Sequence, residues 1–354
     1  MLASSTLNDT FTHPDQPETL MYADLIEDLS TQSMSEPIDI DTLAALNKAA
    51  ADGLRLQVLQ LLQQDSFGVL ELADIFDISQ SRLSHHLKIL AQAGLLTTRR
   101  EGNSIFYRRA LVNGGPLDGI RRSVFQAVDA LPENEEAKAS VARIYQERAE
   151  QSQTFFEKHA GKFTEVQDLI AGYEHYADSI QEVMSALDLP STASAMEVGP
   201  GRGGFLKPLC NRFQNVVALD NSPAMLDVAK EHCEQNIREQ IEFVLGDPNQ
   251  ALEQNIKVDF LAFNMVVHHI PSPAEVISAS AQLLNDQGYL LITDLCPHDQ
   301  NWVKESCGDI WLGLDPEELK SWTEEAGLTH QHQVFVGLRN GFQIQIQLFK
   351  KLSS

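Results

Sequence analysis

Residues 195–204 read Ala195-Met196-Glu197-Val198-Gly199-Pro200-Gly201-Arg202-Gly203-Gly204, an apolar strand that carries one carboxylate and breaks into a glycine loop. Glycine turns tightly and lets backbone approach a ligand closely, and the helix that follows aims its N-terminal amides at a negative group. The stretch therefore predicts a nucleotide-like ligand at the end of a strand.

Two kinds of cofactor use such a loop. Gly199, Gly201 and Gly204 fit the G-x-G-x-x-G dinucleotide pattern, with Asp220 about twenty residues on. Alternatively, Glu197-x-Gly199-x-Gly201-x-Gly203 resembles motif I of the class I S-adenosylmethionine-dependent methyltransferases. Asp220-Asn221-Ser222-Pro223-Ala224-Met225-Leu226 then resembles their motif II, in which the acid accepts both ribose hydroxyls. The likeness continues through Phe243-Val244-Leu245-Gly246-Asp247, whose Asp would sit near the adenine amino group. It ends with the strand Val258 to Phe263 and Asn264-Met265-Val266-Val267-His268-His269-Ile270-Pro271. This resemblance covers the second half of the chain. It implies S-adenosylmethionine or S-adenosylhomocysteine as ligand, held by Glu197, Gly199, Gly201, Gly203, Asp220, Asn221, Met225, Gly246, Asp247, Pro248 and Asn264. His268 and His269 fall where small-molecule methyltransferases place a base, and are the candidate catalytic residues. Whether the domain turns over stays open. The DNA-methylase signatures Asn/Asp-Pro-Pro-Tyr and Pro-Cys are absent, and the cysteine spacing does not match arsenite methyltransferases.

The C-terminus favours the methyl donor or its demethylated product over a dinucleotide. Val334 to Leu338 and Phe342 to Phe349 flank Arg339-Asn340-Gly341, and Asn-Gly between apolar runs predicts a hairpin. A terminal antiparallel pair belongs to the methyltransferase sheet. The expected fold class is α/β, an N-terminal winged helix-turn-helix domain followed by a Rossmann-like, seven-stranded methyltransferase fold. Phe342, Ile344, Ile346 and Leu348 alternate with Gln343, Gln345 and Gln347, which predicts one wet face on the last strand.

The 354 residues suffice for two domains, and the formal charge of −24 argues against general adhesion to nucleic acid or anionic membrane. Any DNA contact must be local. No apolar run approaches the roughly 18 residues of a membrane span and the N-terminus lacks a secretory pattern, so a cytoplasmic location without membrane contact is expected. Cys210, Cys233, Cys296 and Cys307 lack metal spacing and read as reduced thiols. Residues 1–38 read as an acidic, poorly ordered extension, with a short amphipathic helix over Thr19 to Leu29 and Met34 as an alternative start.

Residues 39–112 change character. Leu43, Leu46, Leu54, Leu56, Val58, Leu59, Leu61 and Leu62 mark two helices around Asp52-Gly53. A short helix follows over Val69 to Phe76, then the turn Asp77-Ile78-Ser79. A second helix runs from about Gln80 to Ala93, closed by Gly94. On it Leu83, Leu87 and Leu90 share one face, while Gln80, Ser81, Arg82, Ser84, His85 and Lys88 occupy the other. Leu95 to Arg100 and Ser104 to Arg109 pair as a basic hairpin. Leu72 to Phe76, Ser79 to Lys88 and Ala93 to Leu96 resemble the ArsR family of winged-helix repressors. The likeness implies homodimers that place this helix in a major groove and the wing near a minor groove. Ser79, Gln80, Ser81, Arg82, Ser84, His85, Lys88, Arg99, Arg100, Asn103 and Arg108 are the candidate contacts to double-stranded operator DNA. The dimer is expected through the helices near Leu43–Leu62 and Leu117–Leu131.

This chain departs from that family at two places. Asp77 stands where the turn usually has Gly, a substitution Asp tolerates. Phe67-Gly68-Val69-Leu70 precedes Glu71-Leu72 where metal-sensing relatives carry Cys-x-Cys, so no soft-metal site forms there. Adjacent His85 and His86 lie about 100° apart and cannot share an ion. His86 is open between DNA contact and packing. No metal is expected. Residues 113–165 read as dimerisation and linker helices, with Phe155 and Phe156 as a lid or an interdomain contact and Tyr173 and Tyr176 similarly open. Residues 166–354 form the ligand domain. The combination resembles S-adenosylhomocysteine-responsive repressors of methionine-cycle genes, with an active methyltransferase that regulates its own operon as the alternative.

Overall fold

The computed structural model describes residues 39–102, 104–112, 114–159 and 170–353. The acidic extension, its expected helix and Asn103 lie outside the described residues.

Helices α1 (Ile40–Ala50) and α2 (Gly53–Leu61) each start on an aspartate. Asp39 accepts from the Thr42 amide at 2.6 Å and Asp52 from the Arg55 amide at 3.1 Å, which satisfies amides that no helical turn can reach. Strand β1 (Phe67–Gly68) leads into α3 (Val69–Ile75), and Asp77 makes the turn to α4 (Gln80–Gln92) at φ 48°. Leu83, Leu87 and Leu90 of α4 are buried, and Gly94 ends it at φ 66°. Strands β2 (Leu96–Glu101) and β3 (Ser104–Arg109) form the wing, in the order β1-β3-β2. Helix α5 (Asp118–Asp129) and the long α6 (Glu135–His159) follow. Leu117, Phe125, Val128, Ala137 and Ile144 share the core of the winged-helix domain, so the expected linker helices pack as part of it.

Helix α7 (Ala177–Ser185) opens the second domain. Its strands are β4 (Ser194–Val198), β5 (Asn215–Asp220), β6 (Ile241–Leu245), β7 (Val258–Asn264), β8 (Leu284–Leu295), β9 (Leu328–Gly337) and β10 (Gln343–Lys351). Between them lie α8 (Leu206–Arg212), α9 (Pro223–His232), α10 (Gln235–Arg238), α11 (Pro248–Glu253), α12 (Pro273–Leu283), α13 (Trp302–Ser306) and α14 (Pro316–Glu325). The sheet order is β6-β5-β4-β7-β8-β10-β9, with β10 antiparallel to both neighbours. The terminal hairpin is therefore as expected. Strand order reverses between β4 and β7, and the loops beyond their C-terminal ends part to leave a crevice. Apolar clusters cover both faces of this sheet.

The last strand corrects one expectation. Gln345 and Gln347 are fully buried, not wet. Gln345 Nε2 donates to the Leu314 carbonyl at 2.6 Å, and Gln347 Nε2 donates to the Pro316 carbonyl at 3.3 Å and to Gln345 Oε1 at 2.6 Å. Strand β10 lies inside the sheet, and its polar positions hold the backbone of a loop that an alternation pattern cannot reveal.

Candidate functional site

A cavity of about 670 Å³ opens at the crevice. Glu197, Gly199, Gly201, Asp220, Asn221, Met225, Gly246, Asp247, Pro248 and Asn264 line it, ten of the residues expected from sequence. Gly203 is the exception. It takes φ 76°, and a Cβ there would lie 3.1 Å from both Cys233 Sγ and the Leu206 side chain, so it serves helix packing rather than the cavity. Gly199 at φ 67° has the opposite reason to be glycine: a Cβ would lie 2.5 Å from Val266 Cγ2, across the crevice.

The polar groups are arranged as acceptors. Glu197 is fully buried, its Oε2 has no hydrogen-bond partner, and burial holds its carboxyl well above the ordinary value. Asn264 Oδ1 is likewise buried and unpartnered. Asp220 accepts the Ser222 amide at 2.8 Å, and burial outweighs that bond to push its pKa up to about 6. Asp247 caps α11 by accepting the Gln250 amide at 2.9 Å. Two orphaned acceptors beside a glycine turn and a second carboxylate fit a ligand with an ammonium group and vicinal hydroxyls.

The two histidines separate. His269 lines the cavity, with Nδ1 facing the Gly308 carbonyl at 3.2 Å and Phe156 edge-on at 5.0 Å. Burial, then the neighbouring His268 charge, holds it neutral. His268 does not reach the cavity wall. Its Nδ1 meets Asp294 Oδ1 at 2.6 Å, its Nε2 lies 3.8 Å from Asp309, and Asp294 also accepts the Val267 amide at 2.9 Å. Burial opposes its charge, but the two carboxylates push its pKa up to about 9. Unlike His269, His268 sits behind the cavity, where its bond to Asp294 braces the loop after β7. Among the described residues, His268, His269 and Asp309 bring one ligand atom each within 4.8 Å of one another, a grouping that sequence reading misses because Asp309 comes from a distant loop. The Nδ1 atoms of both histidines already face Asp294 and Gly308.

The fourth wall comes from the first half of the chain. Tyr145, Gln146, Ser152, Gln153 and Phe156 of α6 line the cavity, with Glu275 of α12 opposite. Phe156 is thus a wall residue, while Phe155 packs at Gly308, where a Cβ would lie 2.4 Å from its ring. Tyr173 and Tyr176 also line the cavity. The apolar stripe of α6 is uneven, so its pattern places the helix between the domains without disclosing these contacts.

The same helix holds the domains together. Arg148 Nε and Nη2 donate to Glu71 at 2.9 and 2.7 Å, and its Nη1 donates to the Pro271 carbonyl at 3.2 Å. Its guanidinium lies 5.2 to 6.0 Å from the rings of Phe67, Phe106, Tyr145 and Trp311. Glu71 thus takes part in an ion pair with Arg148, whose guanidinium also reaches the ligand domain.

The DNA-facing expectations divide. Ser79, Gln80, Ser81, Arg82, His85 and Lys88 are exposed along α4 and Ser84 is half-buried. His86 is half-buried, with Nδ1 3.6 Å from Asp52. Arg100 is exposed. In this structure Arg99 and Arg108 turn inward onto the second domain. Arg99 Nη1 donates to the Gly313 carbonyl at 3.0 Å, and Arg108 pairs with Asp315 at 3.3 Å and with Glu318.

All four cysteines are free, and no helix among the described residues is long and apolar enough to cross a membrane. Residues 170–333 match the family description "Methyltransferase domain" and residues 52–98 match "Bacterial regulatory protein, arsR family". The ubiquinone biosynthesis O-methyltransferase of Leptothrix cholodnii is 22% identical over 43% of this chain and 70% of its own. That of Salmonella newport is 26% identical over 39% of this chain, which spans only 62% of that relative. Among solved structures, the N-methyltransferase NodS of Bradyrhizobium japonicum in complex with S-adenosyl-l-homocysteine aligns at TM-score 0.45 and 14% identity, covering 57% of this chain and all (100%) of that one. The two family matches, with the sheet order above, show an ArsR-family helix-turn-helix domain and a class I methyltransferase domain in one chain.

Proposed function

We propose that the protein is a dimeric, cytoplasmic DNA-binding regulator, a repressor of methionine-cycle genes, gated by S-adenosylhomocysteine or S-adenosylmethionine. One observation carries this reading: the ligand cavity is walled by α6, which is also core to the winged-helix domain. A ligand there touches both halves of the molecule, and it shifts DNA occupancy by as much as its affinity differs between the two arrangements. Glu197 and Asn264 would meet the amino-acid end of the ligand, Asp220 the ribose hydroxyls, and Asp247 the adenine. When bound, the methyl donor supplies an activated methyl on a sulfonium.

Donor and product differ by a methyl and a positive charge. A methyl-sized difference is worth only about 1–3 kcal/mol, whereas moving a two-state regulator nearly completely takes roughly 5.5 kcal/mol. Charge must contribute, and the loop from Asn264 to His269 is where it would be read. The test is a gel shift on the chain's own upstream DNA with each ligand, beside calorimetry. S-adenosylhomocysteine is expected to release the DNA at lower concentration than S-adenosylmethionine. DNA binding that answers only to a metal ion, or to neither ligand, defeats the reading.

A methyltransferase that regulates its own operon is the second reading, favoured by the position of His269 in the cavity wall. Rapid methylation of a small acceptor would promote it.

A further inference from the structure

The wing is docked on the ligand domain by the residues that would otherwise face DNA. Arg108 lies between Asp315 and Glu318 at the start of α14, and its side chain is 16% exposed. Arg99, 21% exposed, pairs with Glu101, donates to the Gly313 carbonyl and lies 5.7 Å from the Trp311 ring. The Glu101 carboxylate is buried, accepting the Leu312 amide at 2.8 Å and lying 3.1 Å from Lys304 Nζ. Phe106 meets Trp311 edge-on at 5.4 Å. Both wing strands are therefore held by residues 304–318.

We propose that residues 309–318 are an internal docking site for the wing, in which Asp315 and Glu318 take the place of DNA phosphate on Arg108 while Gly313 and Trp311 hold Arg99. Two carboxylates and a carbonyl offer these guanidiniums what a phosphate backbone offers, charge-assisted acceptors. An arginine so enclosed cannot serve both, so docking of the wing and its contact with DNA exclude each other. The inference rests on the DNA-binding reading of the first domain.

The dock is wired to the ligand cavity. The Ile310 and Trp311 amides donate to the His268 carbonyl at 3.1 and 3.0 Å, and Trp311 Nε1 donates to the Ile270 carbonyl at 2.8 Å. His269 and Ile270 are cavity wall. On the far side, Gln345 and Gln347 hold the carbonyls of Leu314 and Pro316. Gly313 takes φ 78°, where a Cβ would lie 2.1 Å from the Cys296 carbonyl oxygen, so the dock has one tight backbone path. A ligand that orders the loop after β7 orders the dock, favours the docked wing and opposes DNA.

The test compares the full chain with D315N/E318Q and with E317Q, which removes a neighbouring charge from the same turn, using a duplex of the chain's own upstream region at fixed salt. D315N/E318Q should bind this duplex about tenfold tighter or more without ligand, because a charge-assisted pair no longer competes with DNA. It should also lose most of its response to S-adenosylhomocysteine, while E317Q behaves as the parent. Hydrogen exchange of residues 309–318 in the parent should quicken when DNA is added. Parental DNA affinity in D315N/E318Q, with residues 309–318 still protected on DNA, overturns the dock alone. Absence of DNA binding by parent and variants alike overturns the DNA-binding reading and this inference with it.

Discussion

At the scale of single residues, the proposed function would have Asp220 join ligand recognition to pH. A carboxylate that accepts ribose hydroxyls must be ionised, and burial has raised its pKa to about 6. Ligand affinity should therefore hold above pH 6 and fall as pH drops through it, and Asp220→Ala should cost on the order of 1.5–3 kcal/mol and remove that pH dependence. Calorimetry with S-adenosylhomocysteine from about pH 5 to pH 8 reads both; equal binding by mutant and parent would contradict the assignment. His268 works in the other direction. Its folded pKa of about 9 exceeds the ordinary 6.5, so the pair with Asp294 contributes fully below about pH 6.5 and is lost as pH rises through 9. Asp309, raised from 3.8 to about 6 by burial, costs stability as pH rises between those two values and adds nothing to the alkaline loss. His268→Gln should lower Tm at pH 6.5 and flatten its decline toward pH 9. Most cavity residues are legible because they lie in contiguous motifs whose chemistry shows in residue type. His268 and His269 part in their 3₁₀ turn, and no motif says which one lines the cavity.

At the scale of elements, the sequence pattern locates both α4 and the wing to within a residue or two, since caps, a left-handed turn residue and helical spacing are local signals. Their orientation is only half legible. Helix α4 shows a polar face beyond its buried leucines, as its periodicity requires. Arg82→Ala with Lys88→Ala should lower DNA affinity and reduce the salt slope by about one unit for each phosphate that the helix no longer neutralises. Salt titration of a double mutant that keeps its circular dichroism is the measurement, and an unchanged slope would remove α4 from the interface. The wing and β10 share one lesson. Arg99 and Arg108 look like DNA ligands, and Gln345 and Gln347 look solvent-facing, until residues 309–318 are laid between them. That segment meets them only through tertiary structure, so neither strand pattern could disclose it.

At the scale of the whole molecule, the question is whether two domains act as one. A ligand signal reaches DNA only if the winged helix and the methyltransferase fold share an equilibrium, and besides the docked wing Arg148 is one place where they meet. It joins Glu71 of α3 to the Pro271 carbonyl, beside a second link in which Tyr145 and Ser272 both donate to Asp65. Trp322 Nε1 adds a third, donating to the Gln64 carbonyl at 2.8 Å. Removing Arg148 takes away a charge-assisted pair with the half-buried Glu71, which keeps the Gly68 amide as a donor. Arg148→Met keeps a long side chain among the four rings while removing the charge, so it tests the pairing more than the packing. The parent should unfold in one calorimetric transition, and Arg148→Met in two, the winged-helix core separating from the ligand domain. S-adenosylhomocysteine should still raise the transition of the ligand domain in the variant but no longer shift the other one. A single, ligand-responsive transition in Arg148→Met would mean that the remaining links suffice to couple the domains.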